Sequence, residues 1–355
     1  MVEKSNTELH KLLKKHPAAK EFEFLFDCCR AYFANTTVSY PDDIDAGVFY
    51  DLLQHHKLIT HLYPLLKDKC DGVSGELLQR AQQALKQNKL HLLRLSGELV
   101  RLSKLFEEKQ IPWLSIKGPA LSMQLYGDVA ARQSGDLDIL VNEVDLEKSV
   151  SLLNEIGYNQ ISCLNVKHKN RYRRHHKDYL FRHTKHHILI ELHWKLSHDW
   201  LTSDDITALI WTDTTKIQIA GEQIPIPNTT NHLIFLYEHG SRHTWYRIAW
   251  LWDIAYAEIT RFGDEINYSN FSKELFYCFI TANRLCQDIF NIYHSTLINN
   301  YSKHKLRLLV NLAKKALLYP ENTKTIKMTV LRFKYTILIQ TGFVRKIKSF
   351  KRYLI

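Results

Sequence analysis

Residues that break secondary structure are scarce: 12 glycines and 8 prolines in 355 positions. That excludes a collagen-like or low-complexity chain. No apolar run reaches the roughly 18–20 residues that span a bilayer, and the charge-free stretch from Tyr335 to Val344 is too short. Six cysteines, at 28, 29, 70, 163, 278 and 286, form no Cys-x-x-Cys pair. A structural zinc site and a disulfide framework are therefore not expected, and buried, reduced thiols are. The segment from Met1 to Asn6 carries charge and no apolar core, so no secretory signal is expected and the cytosol is the default location. Acidic residues are absent after Glu321, while Lys324, Lys327, Arg332, Lys334, Arg345, Lys346, Lys348, Lys351 and Arg352 follow.

The remaining composition is that of a globular protein, 45% hydrophobic and 24% charged, long enough for about two or three compact units. The net charge of +11 is concentrated in the C-terminal tail and in a block from Lys167 to His187. Localised positive charge implies a polyanionic partner: nucleotide phosphates, nucleic acid or an anionic membrane surface. The plainer reading is a solvated tail and a charged loop.

Three stretches differ in period. Residues 1–108 read as helical, with apolar residues three and four apart in Glu76–Leu85 and Leu90–Leu99, shorter helices near Val48–Leu53 and Leu58–Tyr63, and a turn and cap at Tyr40-Pro41-Asp42-Asp43. Residues 109–227 alternate. A short apolar run stands at Ile111–Ile116. Strands are expected at Asp136–Val141, Tyr179–His183 and Ile188–Trp194, helices from Pro119 and over Asp145–Tyr158 with a glycine stop, and a hairpin over Lys216–Pro227. From residue 228 the helical period returns. The fold class is α+β: a small mixed β-sheet core flanked by N-terminal and C-terminal helical regions.

Within the middle stretch, Asp136 and Asp138 share one strand face while Leu137, Ile139 and Val141 take the other. Two carboxylates on one face repel unless a cation lies between them, and oxygen pairs suit Mg²⁺ or Mn²⁺. Taken alone, Asp-x-Asp also describes an ordinary solvated strand. Glu191 interrupts an apolar strand, where a carboxylate is costly without a partner. Its partner is either a shared metal centre or a neighbouring basic side chain. Before both comes Ile116-Lys117-Gly118-Pro119, in which glycine permits close approach of a phosphate and a helix start attracts anions.

In that order, these residues resemble the nucleotidyltransferase superfamily typified by DNA polymerase beta. More closely, they resemble an uncharacterised nucleotidyltransferase family found in bacteria. The resemblance rests on Leu114–Leu121, Leu125-Tyr126-Gly127-Asp128, Arg132 with Asp136–Val141, Gly157-Tyr158, Glu191-Leu192-His193-Trp194, and His239–Arg247 with Trp250 and Asp253. It covers roughly residues 45 to 260 and implies a nucleotidyltransferase core over 109–227. It implies that Asp136 and Asp138 hold two metal ions, that Glu191 completes the metal site and helps deprotonate an acceptor hydroxyl, and that Gly118 belongs to the phosphate-binding turn. It further implies Mg²⁺ or Mn²⁺ as cofactor and an NTP, expected to be ATP, as donor. Pro119 stands where the superfamily usually has Gly or Ser and has no N–H to give, so Lys117 or Arg132 is expected to supply those contacts.

Further nucleotide contacts are assigned to Ser122, Arg132, His193, His239, His243 and Arg247. Arg132 either clamps phosphate or holds the Asp-x-Asp loop by an ion pair. His193 shares the strand face of Glu191 and either orients a carboxylate, contacts substrate or is structural. His239 and His243, with Arg247 a turn further, fit a helix face lining a nucleotide or acceptor cleft. The basic block 167–187 fits the rim of the cleft, gripping nucleic acid or a phosphorylated acceptor. The basic tail, with Phe333, Tyr335, Phe343, Phe350 and Tyr353, allows peripheral membrane contact. The leading function is metal-dependent transfer of a nucleoside monophosphate from an NTP to an acceptor hydroxyl on a small molecule, protein or tRNA. The alternative is a non-catalytic nucleotide- or RNA-binding module. Asp136, Asp138 and Glu191 are expected to converge beside Gly118. If their carboxylates repel one another, Asp136→Asn or Asp138→Asn removes turnover and leaves the fold intact.

Overall fold

The computed structural model describes residues 3–162, 172–174, 176–197, 205–260, 266, 271–292, 301–319 and 326–340. Helices α1 (Glu3–Leu13), α2 (Ala19–Ala34), α3 (Ala46–His55) and α4 (Ile59–Asp68) open the chain, with a two-residue pair of strands, β1 (Val38–Ser39) and β2 (Cys70–Asp71). Then come α5 (Gly75–Glu108), β3 (Trp113–Ser115), α6 (Gly118–Tyr126), β4 (Leu137–Val141), α7 (Leu146–Glu155), β5 (Tyr158–Gln160), β6 (Asp178–His183) and β7 (Leu189–His193). Helix α8 (Ile206–Thr212) precedes the hairpin β8 (Thr214–Ile219) and β9 (Glu222–Pro227). The last helices are α9 (Thr229–Arg242), α10 (Ile248–Ile259), α11 (Lys273–Phe290), α12 (Lys303–Leu317) and α13 (Ile326–Ile339). The class is α+β, a small mixed sheet with flanking helices.

Local signals account for several boundaries. The cap of α3 is Asp45, not Asp42 or Asp43: its Oδ1 accepts from the backbone N of Gly47 at 2.7 Å and of Val48 at 3.0 Å. Asp43 instead pairs with Lys20. The two apolar runs in 76–99 belong to one 34-residue helix, α5. Helix α7 ends as expected at Gly157, whose φ of +92° favours glycine.

The chain divides into two compact units, described here separately. The sheet unit holds 87–197 and 205–232 as far as they are described. Its sheet has the order β3-β4-β7-β6-β5, with β4 and β7 parallel and the other neighbours antiparallel. The face bearing Leu137, Ile139 and Val141 continues through Ile190, Leu192, Tyr179 and Phe181 into one apolar core with Leu95, Leu99 and Leu102 of α5. The opposite face carries Asp138, Glu191 and His193, as strand alternation requires. The basic block is not one loop: its residues 178–183 are strand β6, and Arg173 pairs with Glu147 while Lys177 pairs with Asp178 at 2.7 Å. Lys167, His168, Lys169, Arg171 and His175 lie outside the described residues, as do Cys163, Lys324 and the tail from residue 341.

The helical unit joins the two ends of the chain. Helix α2 packs on α3, α4 and α11, and α11 in turn meets α10 and α12. Cys28, Cys29, Cys278 and Cys286 are buried here and form no disulfide among the described residues. Among the described residues no helix is long and apolar enough to cross a membrane. Helix α9 needs a glycine at 240, because a Cβ there would lie 2.1 Å from the ring of buried Trp245. Gly240→Ala is expected to lower stability by about 3 kcal/mol, the upper range for overpacking a core. Chemical denaturation measures it, and an unchanged midpoint would refute this packing.

Candidate metal centre

Strand β3 ends at Ser115, and the chain turns through Ile116, Lys117 and Gly118 into α6. Gly118 has φ +67°, and a Cβ there would come within 3.2 Å of the Asp136 carbonyl oxygen. Both facts call for glycine, and the close approach sets Lys117 against the start of β4. Pro119 occupies the first turn of α6, where a missing N–H costs nothing. The turn is also fixed from behind by His232, whose Nε2 donates to the Ile116 carbonyl at 2.7 Å. Burial pushes this imidazole down to about 4, so it is neutral at physiological pH.

Asp138 lies opposite Glu191 in the parallel β4–β7 pair, and His193 is two residues along β7. Asp138, Glu191 and His193 each offer an atom, and these atoms lie within 4.8 Å of one another. The Asp138 side chain is 1% exposed and that of Glu191 is 32% exposed. The Lys117 Nζ stands 2.5 Å from Asp138 Oδ1. The cation between the carboxylates is thus a lysine of the same chain.

His193 Nδ1 faces the Lys177 ammonium at 3.3 Å. An ammonium only donates, so Nδ1 accepts and the ring proton sits on Nε2. From there it donates to Asp138 Oδ1 at 3.1 Å, with Glu191 Oε2 at 3.3 Å. In this state His193 is a hydrogen-bond donor to the carboxylates. Asp178, opposite His193 in the β6–β7 register, anchors Lys177.

These contacts set the charges. Burial works to raise Asp138, but the Lys117 charge and the His193 hydrogen bond hold it below its ordinary 3.8. Burial likewise opposes ionisation of Glu191, and His193, Lys117 and Lys177 overcome it, holding that carboxyl well below its ordinary range. Burial would lower Lys117, yet Asp138, Glu191 and Asp136 raise it above 10.5.

Asp136 immediately precedes β4 and is half-buried, and its charge acts on Lys117. Asp138 and Glu191 share one lysine, on which Asp136 acts through its charge without joining the group that Asp138, Glu191 and His193 form, while Lys177 and Asp178 cancel. The surplus of negative charge and the hard oxygen donors fit a divalent cation. Asp138 and Glu191 would hold it, once Lys117 gives up its place on Asp138.

The remaining predicted contacts fall in different places. The Ser122 hydroxyl is fully buried and spent on the backbone: it donates to the Asp128 carbonyl at 2.6 Å and accepts from the Arg132 N at 3.3 Å. It braces the loop that leads to β4. Arg132 is buried, and its charge acts on His232. His239, His243 and Arg247 belong to the helical unit. There the two imidazoles lie 4.8 Å apart and Arg242 contacts His239 Nδ1 at 2.9 Å. Sequence reasoning missed the supporting roles of His232, Lys177 and Asp178, since only the register of β6 on β7 and the return of the chain after β9 reveal them.

The chain matches the family described as uncharacterised nucleotidyltransferase over residues 42–278, and it belongs to that family. No curated protein matches it. A solved structure, an antigenic nucleotidyltransferase-like protein from Paracoccidioides brasiliensis, is similar over 54% of this chain and 87% of its own. The two are 16% identical, with a TM-score of 0.39.

The buried ion pair gives Asp138 a structural partner, so a stability cost is expected when it is neutralised. Asp138→Asn removes the nearest partner of Lys117 but leaves Glu191 and Asp136 acting on it, so the cost falls toward the bottom of the range of about 3–5 kcal/mol for breaking a buried pair. We expect the lower figure, since asparagine keeps one acceptor. Lys117→Met combined with Asp138→Asn should cost less than the two singles added, and additive singles would show the groups are uncoupled. The pair's contribution is complete between the ordinary carboxylate and lysine values, 3.8 and 10.5. It is lost as pH falls through the depressed Asp138 value or rises through the elevated Lys117 value. The stability gap between wild type and Asp138→Asn should therefore close in strong acid, which denaturation at a series of pH values measures.

Proposed function

We propose that this chain transfers a nucleoside monophosphate from an NTP, ATP being the expected donor, to a hydroxyl of an acceptor molecule, using Mg²⁺ or Mn²⁺. The observation that carries the reading is the pairing of Asp138 with Glu191 across two adjacent strands beside the Gly118 turn. Membership of a nucleotidyltransferase family supports it. We assign the chemistry to residues 109–227 and the metal ligands to Asp138 and Glu191, with Asp136 as the third carboxylate.

In the transfer, the acceptor oxygen bonds to the α-phosphorus as the bond to the leaving pyrophosphate breaks. A bound divalent cation would supply charge neutralisation on the phosphates and acidify the acceptor hydroxyl. The chain's own part is positioning. Lys117 exchanges the Asp138 carboxylate for a phosphate oxygen, so its charge is available where Pro119 offers no N–H. His193 keeps the two carboxylates turned toward each other. The acceptor proton leaves by way of Glu191, whose side chain is 32% exposed, to solvent. A carboxylate held so far below its ordinary value is a weak base. Glu191 therefore acts first through its charge.

The test is incubation with each labelled NTP and Mg²⁺ or Mn²⁺ in a host extract, followed by identification of the labelled product. Glu191→Gln is expected to lower incorporation at least a hundredfold, with a melting temperature close to wild type because its side chain is part-exposed. Incorporation that survives Glu191→Gln, or that never appears with any NTP, rejects the enzyme reading. Nucleotide binding without incorporation would favour the binding module.

A further inference from the structure

The helical unit contains a group of positive charges that the metal centre does not use. Arg247 and Arg332 approach the same ring, that of Tyr246, with guanidinium carbons 5.3 and 4.9 Å from its centroid. Arg247 also lies 5.9 Å from the Trp250 ring. Among the described residues neither arginine has an ion pair, and the Nε of each is buried without a hydrogen-bond partner. Arg242, nearby in sequence, differs: Glu238 stands 3.7 Å from it. A buried guanidinium N–H left without an acceptor costs about 1–3 kcal/mol or more, so two such groups at one ring call for an anion.

The backbone supports this reading. Thr244 and Trp245 both have left-handed φ, 57° and 55°. Each costs roughly 1–2 kcal/mol for a residue with a Cβ, and strain of this kind collects at binding sites. Here it is held by Trp245, which is fully buried and packed on Gly240. The strained pair delivers Tyr246 and Arg247 directly after it. His55 and His56, beside Arg247, add no charge of either sign. Burial, followed by the Arg247 charge, pushes His55 down to about 4, and burial with the charges of His55 and Arg247 takes His56 well below its ordinary value.

We propose that Arg247 and Arg332, set around Tyr246, form an anion site in the helical unit that takes a phosphate ester. A guanidinium fork matches phosphate oxygens in shape and charge, and Trp250 offers an aromatic surface to whatever carries the phosphate. The ligand is either a nucleotide or a phosphorylated acceptor, which share this group. The inference does not rest on metal-dependent transfer.

Calorimetry on the full chain in EDTA at low salt, with inorganic pyrophosphate as probe, tests it without any contribution from a bound metal. Wild type is expected to bind, and Arg247→Gln and Arg332→Gln each to weaken binding at least tenfold. Ribose 5-phosphate and ATP as further probes separate the two sources, the tighter one naming the ligand. A wild type that does not bind overturns the proposal, as does binding unaffected by either arginine variant. A second measurement covers variants that fail to fold. Pyrophosphate should change tryptophan fluorescence in wild type, and Trp250→Phe, which keeps both arginines, should lose most of that change while still binding. A full response in Trp250→Phe puts the anion elsewhere and overturns the site.

Discussion

The Lys117 ammonium lies 2.5 Å from a carboxylate that is 1% exposed. Neither charge is tolerable at that depth without the other. Several features of the sheet unit serve this contact. Gly118 lets the turn pass against the Asp136 carbonyl, His232 fixes the carbonyl of Ile116, and β4 is buried along its whole length. His193 and Lys177 then complete a chain of hydrogen bonds from Asp178 to Asp138. Satisfied in this way, a polar cluster in a small sheet is rigid, and rigidity is what metal and phosphate positioning needs.

The same contact explains how the site tolerates its own charge. Carboxylates on adjacent strands would repel, and a tethered lysine relieves this without neutralising all of them. A fixed internal cation and an incoming divalent ion compete for the same oxygens. In the proposed reaction the lysine would have two uses, as a counter-ion in the resting chain and as a phosphate contact once displaced. Pro119, which removes a backbone donor from the turn, makes the second use more valuable.

In the helical unit the organising constraint is steric. Trp245 fits only against a glycine, and its fit holds two successive residues in left-handed conformation. The segment from His239 to Arg247 stands out in the sequence as a dense run of histidine, arginine and aromatic residues. Its density reflects packing as much as chemistry, since Trp245 is fully buried whereas Arg247 retains unpartnered polar atoms.

The sequence by itself determined the succession of a helical, a mixed and a second helical stretch, the glycine turn, the parity that puts Leu137, Ile139 and Val141 in the core, and the acidic residues of β4 and β7, but not α2, β5 or α8. Periodicity and local turn chemistry act over a few residues, so they can be read from a single chain. Cap placement at Asp45 was missed because several aspartates precede α3 and only geometry selects among them. Only the tertiary structure decided that Asp138 faces Glu191, that Lys117 is their cation, that Ser122 braces a loop, and that Arg332 joins Arg247 around Tyr246. Each depends on strand register or on contacts between segments far apart in sequence. Side-chain alternation says which face a residue takes, but not which neighbour it meets there.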